Sequence, residues 1–287
     1  MATISSKTST QTEEQYKETL LNIIPAYIAE ELVRSKTVHP KVYRHTTILF
    51  TDVVSFSRIA RHLDPVSLIR KLNGYVTLHD RIMDEFGIEK IKTIGDSYMC
   101  VSGIPNKKKS HAVDCCLAAL NLLNVLDEIK QEKKEVKGEN LDLNNWTFRI
   151  GAHTGPCISG VIGYKKYSFD IWGDSVNIAA RMEEASEPGK INISEDTYEQ
   201  VKSLFDCTHR GTQQVEEFGP VEMYFLNRIR ESLSEDKNGF VPNLEFNRQY
   251  CRRFDINQTS LLSGYPHFIQ NYVRQNPNTG GGKNARE

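Results

Sequence analysis

Glu89–Val101, EKIKTIGDSYMCV, is the stretch that decides the fold. Glu89 to Ile94 alternates as a strand does, Gly95-Asp96 supplies a tight turn, and Tyr98 to Val101 forms the returning strand. Upstream, Thr46 to Val54 (TTILFTDVV) is a β-branched, apolar run of the kind that forms a buried strand, and Asp52 sits at its end. Ser55-Phe56-Ser57 then turns the chain toward a helix expected from about Asp64 to Phe86, with Leu68, Leu72, Val76, Ile82 and Met83 on its core side. Downstream, His111 to Ile129 has the period of a second long helix, carried by Val113, Leu117, Leu120 and Leu123. Trp146 to His153 and Cys157 to Ile162 follow as two strands of a hairpin around Gly155-Pro156. Strand, helix, strand, strand, helix, strand is the ferredoxin-like βαββαβ plan. It is an α+β fold with an antiparallel sheet and helices on one face.

A second stretch follows, Phe169–Met182 (FDIWGDSVNIAARM), punctuated by Gly173. Asp170 is the one acid in the apolar run before that glycine. After it, Asp174 or Ser175 is expected to cap a helix by accepting a backbone N–H bond. Ile178, Met182 and Ala185 share one arc of this helix, while Asn177 and Arg181, four apart, lie together on the neighbouring arc. An amide and a guanidinium presented in this way suit a polar, anionic ligand. The same pair also occurs on the wet edge of any amphipathic helix. Further on, Lys190 to Ser194 is expected as a strand, Glu195 to Leu204 as a helix, and Val215 to Asn227 as a closing hairpin around Gly219-Pro220.

The flanks are different in texture. Met1 to Thr12 is rich in Ser and Thr and is expected to be disordered. Glu13 to Ile24 and Pro25 to about Val33 have the pattern of two short helices, which suit packing on a partner subunit or on their own domain equally. Lys130 to Asn145 is charged and expected as a surface loop. Beyond Arg230 the chain is polar, with one or two weakly patterned helices between Tyr250 and Val273 and a glycine-rich tail. The expected organisation is a helical N-terminal segment over 1–45, a central domain over 46–230 and an extension over 231–287.

Composition narrows the function classes. The 287 residues are 39% apolar and 25% charged, as in globular proteins, and a net charge of -1 gives no electrostatic footprint for nucleic acid. No apolar run approaches a membrane span, and the N-terminal stretch lacks the basic and apolar regions of a signal peptide. The six cysteines have neither metal-type nor framework spacing, so reduced thiols and a cytoplasmic location are expected.

Two acids stand out against this background. Asp52 ends the first strand and Asp96 lies in the turn of the hairpin whose returning strand should neighbour it. Either acid alone is as easily a turn or cap residue. Together at adjacent strand ends they form a hard-oxygen site suited to Mg²⁺ or Mn²⁺, which commonly takes substrate phosphates too. The backbone turning through Val53-Val54-Ser55-Phe56-Ser57 offers N–H groups to such phosphates, with Phe56 and Ser57 nearest the helix start.

Four blocks, ILFTDVVSFS, IKTIGDSYMCVSG, FRIGAHTGPCISGVIG and YSFDIWGDSVNIAARM, closely resemble the catalytic domain of class III nucleotidyl cyclases. They stand in the family's order and span roughly Thr46 to Arg230, and LLNIIPAYIAEEL resembles the helix that precedes many such domains. The resemblance implies that Asp52, Asp96 and the carbonyl of Val53 hold two Mg²⁺ or Mn²⁺ ions per active site. It implies that Asn177 orients the ribose and that Arg181 neutralises charge growing on the α-phosphate. Lys92 and Asp170 match the positions that read the purine. A lysine donates to adenine N1 and an aspartate accepts from its N6, so the pair implies ATP. Lys92 is also what a solvent-facing strand lysine looks like, and its spacing from Lys90 puts both on one face of an unbroken strand.

The resemblance further implies a homodimer with two equivalent sites at the subunit interface, the acids from one copy facing the amide, guanidinium and base readers of the other. Adenylate cyclase activity is thus the leading expectation. A guanylate or dual-specificity cyclase, and a catalytically weak nucleotide-binding dimerisation module, are the alternatives. Two positions depart from the family pattern. Glu216 stands where many members carry a lysine that grips the terminal phosphates, leaving Lys165, Lys166 or Arg210 as substitutes, and Pro156 stands where some carry an arginine.

Overall fold

Asp64 shows how local chemistry starts the core helices. Its Oδ1 accepts the N–H groups of Val66 (3.1 Å) and Ser67 (3.0 Å), and Pro65 needs no acceptor at the first helical position. In the computed structural model, which describes residues 23–132, 143, 146–215, 217–257, 262 and 264–276, that helix is α3 (Pro65–Glu85). The elements before it are α1 (Ala26–Ser35), β1 (Lys41–Val53) and α2 (Phe56–Ala60). After it come β2 (Glu89–Ile94), β3 (Ser97–Ser102), α4 (His111–Glu132), β4 (Phe148–Ile162), β5 (Ser168–Trp172) and α5 (Asp174–Glu184). Then follow β6 (Ile191–Ser194), α6 (Glu195–Val201), β7 (Phe205–Val215), β8 (Gly219–Ile229), a 3₁₀ turn (Glu231–Leu233), α7 (Leu244–Phe254) and α8 (His267–Gln275).

The strands follow one path, β2-β3-β1-β4-β6-β8-β7, with β5 paired to β4 off that path. Its first four strands are the ferredoxin-like order, and β1 and β3 are antiparallel neighbours as expected. The β1–β3, β2–β3, β4–β5, β6–β8 and β7–β8 ladders are antiparallel, and the β4–β6 ladder is parallel. The α+β core, the short N-terminal helix and the extra C-terminal strands and helices all match the sequence reading.

The chain divides into two compact units. One comprises Met1–Val42 with Ile158–Trp172, and within it Tyr27 of α1 meets Phe169 of β5 edge to face, with ring centroids 6.0 Å apart. The other, Tyr43–Cys157 with Gly173–Glu287, holds the main apolar core.

Within that larger unit, strand alternation separates two faces. Leu49 and Val53 of β1, Tyr98 and Cys100 of β3, Phe148, Ile150 and Ala152 of β4, and Ile191 and Ile193 of β6 all join the main core with α3 and α4. The intervening residues face the other way. There α5 lies against the sheet, with Met182 in a separate small cluster beside Met223 of β8. Close approach of α5 depends on two glycines of β4. A Cβ on Gly151 would stand 1.9 Å from the backbone nitrogen of Glu183, and one on Gly155 would stand 2.3 Å from Ser175 Oγ.

The C-terminal helices complete the same core. Phe246, Tyr250, Phe254, Ile269 and Val273 belong to its apolar cluster. Beneath them lies a buried ion pair, Lys108 Nζ to Asp114 Oδ2 at 2.8 Å. It is fully provided with partners, since the Tyr250 hydroxyl donates to Asp114 and Lys108 donates to the carbonyls of Gly87 (2.9 Å) and Gly264 (2.7 Å). All six cysteines are free thiols.

Four local expectations are corrected. Gly155-Pro156 does not turn a hairpin, because β4 runs unbroken from Phe148 to Ile162. Its ladder to β6 covers Ile150–Ala152 and its ladder to β5 covers Ile158–Ile162, so exposed Pro156 falls between partners that would need its missing N–H. The closing hairpin does not turn at Gly219-Pro220, because both residues already belong to β8, where Gly219 pairs with Val215 and Pro220 with Gln214. Gly173 itself occupies the cap position of α5, without a side-chain cap bond, while Ser175 is buried against Gly155. Finally, a register shift between Lys90 and Lys92 breaks the alternation of β2. Most of the expected Glu13–Ile24 helix and of the Lys130–Asn145 loop lies outside the described residues.

Replacing Gly151 with alanine tests the contact between α5 and β4. The added methyl meets helix backbone, which cannot rotate away, so we expect Gly151→Ala to destabilise the fold by about 1–3 kcal/mol. Chemical denaturation of the purified variant measures this, and an unchanged midpoint would show that α5 is not held at this distance.

Candidate active site

Register brings the two acids together. Thr51 of β1 pairs with Tyr98 of β3, so the next position toward the strand end places Asp52 beside Ser97 and the turn that carries Asp96. Gly95, at φ +65, lets that turn close. The Asp96 carboxylate accepts the Val53 N–H and lies within hydrogen-bond reach of the Asp52 carboxyl group. Burial first, and the Asp52 charge second, push the Asp96 pKa up to about 6.

Asp52 has another partner that the sequence reading missed. Arg149 Nη2 of β4 lies 3.1 Å from Asp52 Oδ2, and the same guanidinium places Nε 3.0 Å from Glu183 Oε1 of α5. Burial, with the Asp52 charge second, pushes the Glu183 pKa up to about 7 against the opposing pull of Arg149. The available signal was weak. Arg149 alternates with apolar Phe148 and Ile150, two residues before Gly151, and therefore shares the face on which α5 rests.

The donor chemistry fits a hard divalent cation. Two carboxylates in contact repel one another unless a proton or a cation lies between them. Among the described residues no group of three or more His, Cys, Asp or Glu side chains gathers as metal ligands. Asp52 and Asp96 would therefore be completed by oxygen ligands such as the Val53 carbonyl, water and substrate, a set that suits Mg²⁺ or Mn²⁺ rather than zinc.

The expected row of phosphate-binding N–H groups is shorter in the structure. The Val53 N–H serves Asp96 and the Val54 N–H donates to the Thr147 carbonyl at 2.8 Å. Ser55 adopts φ 59 and starts α2. Phe56 and Ser57 are the first residues of that helix, where N–H groups have no acceptor within the helix.

Asn177 and Arg181 both lie on α5, as expected. Asn177 is exposed, and Arg181 Nη1 meets Glu184 Oε2 at 2.5 Å. The far end of α5 is fixed by side chains. Asn192 Nδ2 donates to the Met182 carbonyl at 2.8 Å, and Arg210 Nη1 donates to the Ala185 carbonyl at 2.8 Å. Since the Arg210 guanidinium also lies 4.0 Å above the Phe225 ring, it is built into this anchor and is poorly placed to replace a phosphate-gripping lysine. Glu216 lies outside the described residues.

Lys92 gains its position from the bulge. Lys90 pairs with Cys100 on the core face and bonds Asp80 of α3 at 2.9 Å. Lys92 pairs with Met99, which in turn pairs with Phe50, so Lys92 shares the face of Asp52 and α5. Asp170 belongs to the smaller unit. It pairs with Gly160 across β4 and β5, and its Oδ1 accepts the Ile171 N–H at 2.9 Å.

Comparison with known proteins agrees with the fold. The family model described as the adenylate and guanylate cyclase catalytic domain matches residues 38–228. An adenylate cyclase of Mycobacterium tuberculosis is 34% identical over 218 residues, which are 75% of this chain and 47% of that protein. Guanylate cyclase 32E of Drosophila melanogaster is 33% identical over 254 residues, which are 86% of this chain and 21% of that protein. The chain thus spans about half, or less, of the length of these relatives. Among solved structures, the adenylyl cyclase CyaB from P. aeruginosa superposes with a TM-score of 0.61 at 28% identity, covering 68% of this chain and 100% of that one. The guanylate cyclase domain of RhGC from Catenaria anguillulae, in complex with GTP, gives 0.58 at 30% identity, covering 65% and 97%.

The raised Asp96 pKa has a definite sign. A carboxyl group whose folded pKa exceeds its unfolded value stabilises the fold below the unfolded value, and that contribution is lost as pH rises toward about 6. We expect Asp96→Asn to raise the melting temperature of the metal-free protein at pH 7–8, with the gain vanishing near pH 4. Mn²⁺ should raise the melting temperature of the wild type at neutral pH and progressively less below pH 6. Thermal melts across pH check both, and an Asp96→Asn gain that is independent of pH would contradict the charge repulsion.

Proposed function

The chain belongs to the adenylate and guanylate cyclase catalytic-domain family, and from that premise we propose that it converts ATP to 3′,5′-cyclic AMP and pyrophosphate. The observation that carries the reading is the contact between Asp52 and Asp96 on the sheet face where α5 presents Asn177 and Arg181. The catalytic part extends over residues 46–230, with an N-terminal segment over 1–45 before it and the extension over 231–287 after it. A cytoplasmic location is in keeping with six free thiols and with the lack, among the described residues, of a helix long and apolar enough to cross a membrane.

The reaction is an in-line displacement at phosphorus. The ribose 3′-oxygen forms a bond to the α-phosphorus and loses its proton, while the bond from the α-phosphorus to the bridging oxygen breaks and pyrophosphate leaves. Asp52, Asp96 and the Val53 carbonyl would hold two Mg²⁺ or Mn²⁺ ions, which when bound lower the pKa of the 3′-hydroxyl and screen the triphosphate. The remaining roles belong to the chain's own groups. Asn177 orients the ribose, and the fixed charge of Arg181 balances the negative charge that grows at the α-phosphate. The N–H groups of Phe56 and Ser57 bind phosphate oxygens.

Substrate choice rests on Lys92 and Asp170. A lysine donor for adenine N1 and an aspartate acceptor for N6 leave guanine with mismatched edge groups, and unpaired polar groups in a site cost selectivity steeply. The protein works as a homodimer in which one copy supplies the acids and the other supplies α5 and the base readers. This arrangement makes use of every site residue the chain contains.

Two other readings have specific support. Guanylate cyclases among the relatives favour GTP or dual specificity. Glu216, an acid where a phosphate-gripping lysine is common, favours a weakly catalytic module that binds nucleotide and signals by dimerising.

An assay of the purified protein with ATP and with GTP in Mn²⁺, across protein concentration, separates the three. The proposal expects cyclic AMP in excess of cyclic GMP, with specific activity rising as dimers form. Asp52→Ala and Arg181→Ala should each lower turnover by about 10²-fold or more while leaving the fold intact. Lys92→Glu combined with Asp170→Cys should shift preference toward GTP. Nucleotide binding with no cyclic product at any concentration would replace the enzyme with the signalling module.

A further inference from the structure

Arg149 is the one cation in contact with a proposed metal ligand among the ion pairs of the described residues, and it touches a second acid on the helix that carries Asn177 and Arg181. We propose that Arg149 is a positioning residue that regulates the metal site, held between Asp52 and Glu183 so that its charge competes with the incoming divalent ion. The proposal rests on the reading that Asp52 and Asp96 hold such an ion.

The geometry supports a divided guanidinium. Nη2 makes a hydrogen bond to Asp52 Oδ2 at 3.1 Å, while Nε lies 3.0 Å from Glu183 Oε1 without the alignment of a hydrogen bond. Both of those latter atoms are buried and have no hydrogen-bond partner among the described residues. Glu183 is enclosed, with 8% of its side chain exposed, whereas Arg149 and Asp52 keep 29% and 21%. The guanidinium therefore bridges the two acids, hydrogen-bonded to Asp52 and ion-paired with Glu183. Its planar fork can pass from one acid to the other by a small rotation.

This arrangement has electrostatic consequences of opposite sign for its two ends. In the metal-free protein Arg149 balances Asp52 and keeps the two carboxylates from repelling each other apart. When a divalent ion takes that role, Arg149 is repelled from Asp52 and Glu183 is the acid ready to receive it. Because Glu183 lies on α5 and Gly151 lets that helix approach β4 closely, the exchange is felt at the base of the helix that presents Asn177 and Arg181. Filling the metal site and seating the substrate helix are then coupled through one side chain.

Removing Arg149 removes a positive charge from beside the ligand, so divalent affinity should rise. Removing the charge of Glu183 takes away the alternative resting place, so Arg149 stays on Asp52 and affinity should fall. A purely structural role for the pair predicts the same direction for both variants, because either one merely loosens the site.

The test is a titration of the full-length protein with Mn²⁺ alone, following free Mn²⁺ by electron paramagnetic resonance without nucleotide or turnover. We expect Arg149→Met to bind Mn²⁺ several-fold more tightly than the wild type and Glu183→Gln to bind it several-fold more weakly. Circular dichroism melts confirm that each variant is folded. If Arg149→Met does not fold, Arg149→Gln, which keeps a hydrogen-bond donor beside Asp52 without the charge, takes its place and should likewise bind Mn²⁺ more tightly. Affinities that are unchanged, or that fall in both variants, overturn the proposal while leaving the metal site in place. Failure of the wild type to bind Mn²⁺, or undiminished binding by Asp52→Asn with Asp96→Asn, overturns the metal reading and the proposal with it.

Discussion

Two carboxylates held in contact are the constraint on which the rest of this structure turns. Like charges at this distance are unfavourable, and burial makes them more so, as the upward shift of Asp96 shows. The backbone nevertheless brings them together. The pairing of Thr51 with Tyr98 fixes where β1 ends relative to the β2–β3 turn, and the Val53 N–H anchors Asp96 once it is there. The central strand supplies the rigidity, being buried without interruption from Thr46 to Thr51. A site of this kind stores electrostatic free energy that a divalent cation would release on binding, which is what marks the acids as candidates for function rather than for stability.

The second requirement is a helix brought close to that site on the same sheet face. A residue with a side chain at Gly151 or Gly155 would hold α5 off the sheet, and Asn192 and Arg210 fix its far end through carbonyl acceptors. Arg149 and Glu183 then link the helix to Asp52. The opposite face of the sheet is given over to packing. There the C-terminal helices close the core over the buried Lys108–Asp114 pair. Structural and chemical duties are thus divided between the two faces by the period of two along each strand.

Much of this was legible in the sequence. The hairpin was visible because Gly95-Asp96 interrupts an alternating run, and α3 was visible because Leu68, Leu72, Val76, Ile82 and Met83 fall on one core-facing side. Asp52 and Asp96 could be placed together because topology alone made their strands neighbours. Local signals failed where tertiary structure outvoted them. Gly155-Pro156 resembles a turn, yet β4 changes partners there and needs no N–H from Pro156. The β2 bulge has no glycine or proline to announce it, so the alternation placed Lys92 on the wrong face beside Lys90. Arg149 was missed because a single charged residue on an otherwise apolar strand has no spacing to distinguish it, and Glu183 because it stands beside Glu184 at a charged helix end. Their contact spans β4 and α5, and only the folded chain brings the two together.

The central claim is that acids from one copy work with the guanidinium of another, and mixing two inactive proteins tests it most directly. Asp52→Asn lacks a metal ligand and Arg181→Ala lacks the charge that balances the α-phosphate. In a mixed dimer of the two, one site carries both defects and the other carries neither. Measured after equilibration of equal amounts, cyclic AMP production should recover to about a quarter of the wild-type rate, because half the dimers are mixed and each has one intact site. No recovery above the two separate variants, in samples where mixed dimers are shown to form, would mean that both groups act within one chain and would contradict the shared site.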